Sequence, residues 1–243
     1  MPVLLVTNDD GAHAEGLAAL ARALESLGDV YVIAPEREQS ACSHALTLHR
    51  PLRVERLRER WFAANGTPSD CVNLGVLGFL PEPPVLIASG INHGSNLGDD
   101  VTYSGTVSAA MEGALLGVPS VAFSLVSGDF AEAGRVAQLV VARILVEGLP
   151  PKTLLNVNVP AGTVRGLRTT RLGHRVYSDK IVEQRDPRGR PYYWIGGGEP
   201  QWDMLEGTDM AAIHEGYVAV TPLHLDLTHH RARADMEKWG LRP

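Results

Sequence analysis

The residues best suited to chemistry come first in the chain. Asp9 and Asp10 are adjacent carboxylates, set between Asn8 and Gly11. Two like charges this close repel, and one of them takes up a proton unless a cation lies beside them. A hard divalent ion such as Mg²⁺ or Mn²⁺, which prefers oxygen ligands, meets that demand. Ser40 and Asn92 offer neutral oxygen atoms that could complete such a shell. The plainer alternative is that Asp9-Asp10-Gly11 is only a turn, because Asp and Gly favour turns. Further on, Ser104, Gly105 and Thr106 precede an apolar stretch with helical spacing. Free N–H groups at a helix start, with the helix dipole behind them, suit a phosphate. Here the plainer alternative is an ordinary helix cap by Ser104.

These residues need elements to position them. Val3–Thr7 is a continuous apolar run and predicts a buried strand. Leu17, Leu20, Ala21, Leu24 and Leu27 recur at helical spacing, with Gly28 as a stop. Val30–Ala34 predicts a second buried strand, followed by the polar loop Pro35–Ser43. Ser69 is expected to cap a helix running to about Gly78. Val85–Ala88 predicts a strand, Ser89–Tyr103 a long loop, and Thr106–Leu116 a helix. Val121–Leu125 and Leu154–Val159 predict strands, with a helix over Ala131–Val146 between them. Strands that are apolar throughout, alternating with helices, argue for a mostly parallel α/β sheet covered on both faces. In such sheets ligands bind beyond the carboxyl ends of the strands. The loops holding Asp9, Ser40 and Asn92 all fall at such ends.

After about residue 165 the pattern changes. Asp186–Trp202 is rich in Pro, Gly, Arg and aromatic residues, and predicts a protruding hairpin arm. Tyr192, Tyr193 and Trp194 suit packing against a neighbouring subunit. Tyr217–Pro222 predicts a strand, and Ala232–Trp239 a short terminal helix. The expected organisation is one domain over 1–243. The arm would occupy about 175–215, and a C-terminal tail about 224–243.

Composition narrows the function. The 243 residues are 44% hydrophobic and 21% charged, which is globular. With 22 basic against 28 acidic residues the net charge is −6, which disfavours a nucleic-acid polymer as partner. No apolar run approaches the roughly 18 residues of a membrane span, and no signal peptide is expected. Cys42 and Cys71 are expected as free thiols in the cytoplasm. Walker-type and dinucleotide-binding glycine motifs are missing, as is a nucleophile elbow. His224, His229 and His230 lack the partners of a zinc site.

Six ordered blocks together resemble a known family. They are Val3–Gly11; Ala34-Pro35-Glu36 with Gln39-Ser40; Gly66–Val72; Ser89–Asn92 with Gly94 and Asn96–Asp100; Tyr103–Val107; and Glu215–Val218 with Thr221–Leu223. In this they are similar to the survival protein SurE family. The resemblance implies a Rossmann-like, mostly parallel sheet flanked by helices, with a hairpin arm and a C-terminal segment used in homodimers or homotetramers. It implies a divalent-metal-dependent phosphatase acting on nucleoside 5′-monophosphates, often on 3′-monophosphates, and on other phosphomonoesters or short polyphosphate. Its metal ligands fall on Asp9, Asp10, Ser40 and Asn92. Its phosphate contacts fall on Asn96, Ser104, Gly105 and Thr106, with Asn8 close by. Asp9, Asp10 and Asn96 would carry the reaction. Cys42 and His93 match no fixed family position. A broad phosphatase or exopolyphosphatase, and a nucleotide-binding module without turnover, are the competing readings.

Overall fold

The computed structural model describes residues 1–176, 180–196 and 201–240. The expected arm therefore includes 177–179 and 197–200, and the expected tail 241–243, which lie outside the described residues. In chain order the elements are β1 (Val3–Thr7), α1 (Glu15–Leu24), β2 (Asp29–Pro35), β3 (Val54–Arg58), β4 (Trp61–Ala64) and α2 (Pro68–Leu74). Next come β5 (Leu86–His93), α3 (Gly105–Leu115), β6 (Ser120–Leu125), α4 (Phe130–Glu147) and β7 (Thr153–Val159). The rest are β8 (Leu167–Thr169), β9 (Arg175–Val176), β10 (Lys180–Arg185), β11 (Pro191–Gly196), β12 (Gln201–Trp202), α5 (Asp209–His214), β13 (Val218–His224) and α6 (His230–Met236).

Nine strands form one sheet in the order β3-β4-β2-β1-β5-β6-β7-β13-β8. The strands from β4 through β7 are mutually parallel. At the flanks β3 runs against β4, and β13 against β7. The mostly parallel α/β class expected from the apolar strand runs is the architecture observed.

Alternation along β1 explains its burial on both sides. Leu4 and Val6 pack with Leu17, Leu20 and Leu24 of α1 and Val136, Val140 and Val141 of α4. Leu5 points the other way, into a cluster with Ile33, Cys71, Val72, Ile87 and Ala109 beneath α2 and α3. Because β1 lies inside this double layer, its carboxyl end is held rigidly where Asn8–Gly11 begins.

Several expectations need correction. Thr67, not Ser69, caps α2: its hydroxyl accepts the Asp70 N–H at 3.1 Å, and the Asp70 carboxylate accepts the Thr67 N–H at 2.8 Å. Pro68 at the first helical position, where a missing N–H costs nothing, moves the start forward. Strand β5 runs on to His93, so Ser89 through Asn92 belong to the strand and not to a loop. Strands β3 and β4 were not expected. One is a charged, mostly exposed edge and the other only four residues long. Helix α5 is also unexpected. It buries Asp209, Met210, Ala211 and Ala212, so this stretch belongs to the body rather than to the arm. The hairpin itself is β10 paired with β11 over Lys180–Gly196.

Candidate active site

The site begins where β1 ends. The Asn8 side chain donates to the Gly11 carbonyl at 3.1 Å and accepts the Gly11 N–H at 3.2 Å. This reciprocal pair closes the turn that carries Asp9 and Asp10. Gly11 has φ +104°, and a Cβ there would lie 3.2 Å from the Arg37 main chain, so the turn requires glycine. Asn8 is fully buried and its amide is engaged within the turn, so it shapes the site from beneath.

Two other loops are fastened to this one. The Gln39 N–H donates to the Asp9 carbonyl at 2.7 Å, and Ala12 N–H to the Pro35 carbonyl at 2.8 Å. The loop after β2 is thereby held over β1, and it carries Ser40. Ser40 is exposed, and its hydroxyl donates to Glu38 at 2.7 Å. Farther along, Ser43 bonds through its N–H to the Tyr103 carbonyl and through its hydroxyl to the Thr102 carbonyl. His44 meets Glu112 of α3 at 2.5 Å, and Asn73 of α2 donates to the same carboxylate at 2.8 Å. The loop after β2 thus bridges β1 to the start of α3.

Helix α3 brings the expected phosphate residues against Asp9. The Thr106 hydroxyl donates to the Asp9 carboxylate, and both residues are buried. Gly105 lies so close that a Cβ would stand 2.8 Å from the Asp9 Cβ and Oδ2, and 3.1 Å from the Cys42 sulfur. Ser104 is the N-cap of α3, its hydroxyl accepting the Val107 N–H at 3.1 Å. The plain cap reading of Ser104 is therefore correct for its side chain. What remains for a ligand is the Ser104 hydroxyl hydrogen and the Gly105 N–H, since the first N–H groups of a helix have no acceptor within it, whereas the Thr106 N–H is turned to the Asp9 carboxylate.

Asn92 stands next to last in β5, where the register against β6 shifts between Ser89 and Asn92. Gly90 within that bulge has φ +126°, and a Cβ would strike the Phe123 carbonyl at 2.3 Å. The Asn92 amide donates to the Gly94 carbonyl at 2.9 Å, which leaves its oxygen without a partner among the described residues. Asn96 sits farther along the rim, over the ends of β6 and β7, and is buried.

Electrostatics favours a cation at the aspartates. Burial pushes the Asp9 carboxyl above its ordinary range, against the pull of the Thr106 hydrogen bond. Asp10 is pushed up to about 6, first by burial and then by the charge of Asp9, with the His93 main chain partly offsetting them. Glu38, which the sequence reading did not single out, adds its negative charge to both. Its signal was an acid in the loop after β2, which sequence alone does not separate from surface charge. Among the described residues no group of three or more His, Cys, Asp or Glu could hold a metal ion. A cation would therefore rest on two carboxylates plus neutral oxygens, the donor chemistry of Asp9, Asp10, Ser40 and Asn92. That set suits a hard divalent ion, whose charge would offset the burial and mutual repulsion that raise both carboxyls.

Residues outside this rim have local duties. Cys42 and Cys71 are free thiols, and burial raises both. His224 and His229 accept main-chain N–H groups, and His230 pairs with Asp226 at 2.7 Å.

Residues 4–179 match the family model described as Survival protein SurE. The 5′-nucleotidase SurE of Syntrophotalea carbinolica is 54% identical over 98% of both chains. That of Myxococcus xanthus is 53% identical over 97% of this chain and 92% of its own. The crystal structure of the SurE protein from Aquifex aeolicus superposes with a TM-score of 0.89 at 44% identity, covering 99% of this chain and all of that one.

Proposed function

The chain belongs to the survival protein SurE family, and from that premise we propose that it is a 5′-nucleotidase. It hydrolyses nucleoside 5′-monophosphates to nucleoside and phosphate, with a divalent cation at Asp9 and Asp10. The observation that carries this reading is the clasp between Asp9 and Thr106. It sets a paired carboxylate, which needs a cation, against a helix start, which suits a phosphate.

Asp9, Asp10, Ser40 and Asn92 would hold the cation. When bound, it supplies neutralisation of phosphoryl charge and makes water more acidic. The chain's own residues do the rest. Asp9 is fixed by Thr106 and cannot swing away from the helix start. Asp9 or Asp10 accepts the proton of the attacking water. The Gly105 N–H group, the Ser104 hydroxyl and the Asn96 amide hold the phosphoryl oxygens as charge moves among them, while the Thr106 N–H and hydroxyl both serve Asp9. All these contacts address the phosphoryl end of the substrate, which supports extending the reading to nucleoside 3′-monophosphates.

The hairpin supports a homo-oligomer. Ile181, Trp194 and Ile195 are exposed on it, and Leu227 and Trp239 are exposed on the C-terminal segment. Apolar side chains gathered on protruding elements suit burial against a second copy. Among the described residues no helix is long and apolar enough to cross a membrane.

The test is phosphate release from nucleoside 5′- and 3′-monophosphates, para-nitrophenyl phosphate and short polyphosphate. Each is assayed with EDTA and with Mg²⁺ or Mn²⁺ restored. The reading expects 5′-monophosphates to be cleaved and EDTA to stop it. No release from any 5′-monophosphate rejects the nucleotidase. Full activity in EDTA rejects the cation.

A further inference from the structure

We infer that Asn156 and Asn158 of β7, with Ser124 of β6, are positioning residues that set Asn96 for catalysis. The inference rests on the reading above, in which Asn96 touches the phosphoryl group.

Asn96 is held at both its main-chain groups and its side chain. Its N–H donates to the Asn158 side-chain oxygen at 2.8 Å. Its carbonyl accepts from the side-chain amides of Asn156 at 2.8 Å and Asn158 at 3.0 Å. Its own amide donates to the Ser124 hydroxyl at 2.8 Å. Ser124 and Asn158 are direct neighbours in the sheet register, so the three supports form one socket at the ends of β6 and β7.

The socket has little else to do. Among the described residues, every side-chain hydrogen bond of Asn156 and Asn158 ends on Asn96. All three supports are fully buried. Burying an amide is unfavourable unless its polar atoms are matched, and the Asn156 oxygen has no partner among the described residues. Apolar residues at these three positions would fill the sheet without that cost. Their polarity is explained by the one residue they hold. Asn96 itself keeps its side-chain oxygen and a second amide hydrogen out of these bonds. The socket thus fixes the backbone and one amide hydrogen, and leaves the remaining polar atoms of Asn96 for a ligand.

The test is a double-mutant cycle on the full chain. Asn158→Ala and Asn96→Ala are made singly and together, and kcat, KM and Tm are measured for one nucleoside 5′-monophosphate. Ser124→Ala, which removes a single hydroxyl, is run in parallel in case Asn158→Ala does not fold. Asn158→Ala should lower kcat about 10-fold, with KM within about threefold, as expected for a lost transition-state contact. Ser124→Ala should lower it about threefold. In the Asn96→Ala background both effects should shrink below twofold, because the residue they act through is gone. For Asn158→Ala, whose lost bonds go to the Asn96 main chain, Tm should fall equally in both backgrounds. Equal kcat losses in both backgrounds would overturn the inference while leaving Asn96 as a phosphate contact. A kcat unchanged within twofold in the single variants also overturns it. An Asn96→Ala enzyme as active as the parent overturns the role of Asn96 and the inference together.

Discussion

Asp9 and Thr106 are 97 residues apart in sequence, yet the hydroxyl of one donates to the carboxylate of the other inside the protein. The bond joins the end of β1 to the first turn of α3. It also draws the Asp9 carboxyl downward, against the burial that raises it. Thr106→Val keeps the branched shape and removes the donor. The variant should bind Mn²⁺ more weakly and lose about 10-fold in kcat/KM, in keeping with one charge-assisted hydrogen bond. Calorimetric titration with Mn²⁺ and steady-state kinetics read both. An unchanged kcat/KM would show that the clasp is only structural.

Asp9→Asn and Asp10→Asn test the carboxylates directly. Each variant keeps the shape of the side chain and removes one negative charge. Each should abolish phosphate release and weaken Mn²⁺ binding, while circular dichroism stays that of the parent. Stability at neutral pH should not fall, because Asp9 is buried and Asp10 half-buried, and removing one of two repelling charges relieves strain. Activity without added cation in either variant contradicts the scheme.

Gly105→Ala tests how closely α3 must approach. At a helical position alanine is favoured over glycine by about 1 kcal/mol where there is room. There is none here: the new methyl would lie 2.8 Å from Asp9 and 3.1 Å from Cys42. Asp9 must move or α3 must tilt. The expected result is a kcat loss of about 100-fold with Tm changed by only a few degrees, since helix propensity and crowding oppose each other. A Tm raised by several degrees with full activity would mean that Asp9 has more freedom than the clasp allows.

The frame of the site was readable in the sequence, and its fine structure was not. Val3–Val6 and Val121–Phe123 are apolar without alternation, so their burial on both faces and the parallel sheet follow from that pattern. Strand ends then locate Asp9, Ser40 and Asn92 on one rim. What no local pattern carries is pairing across the fold. Thr106 read as part of a helix start, but its hydroxyl belongs to Asp9. Ser104 read as either a phosphate contact or a cap, and only the packed structure shows its hydroxyl on the Val107 N–H. Nothing in the strand pattern over Leu154–Val159 marks Asn156 and Asn158, because their partner lies 60 and 62 residues earlier. Glu38 looked like any surface acid until the loop after β2 was seen fastened to Asp9.

Removal of the cation should make stability depend on pH in a defined direction. Asp10 titrates at about 6 in the folded chain, against an ordinary 3.8. Asp9 is raised as well. Between about pH 4 and pH 6 the native state therefore holds protons that the unfolded chain has released. Stability then falls as pH rises through this window, because the native state binds more protons than the unfolded one. The contribution is complete below about pH 4 and lost above about pH 6. Asp29, Asp186 and Asp226 are shifted downward and act in the opposite sense at lower pH, so the raw pH profile mixes both. Subtraction isolates the site. In EDTA, the Tm of Asp10→Asn minus that of the parent should grow from pH 4 to pH 7.5. With saturating Mn²⁺ the difference should shrink or change sign, since only the parent gains a bound ion to stabilise it. Thermal melts at four pH values, with EDTA and with Mn²⁺, supply the comparison. A difference that stays flat across the window in EDTA would mean that Asp10 is not held in the electrostatic strain its surroundings imply.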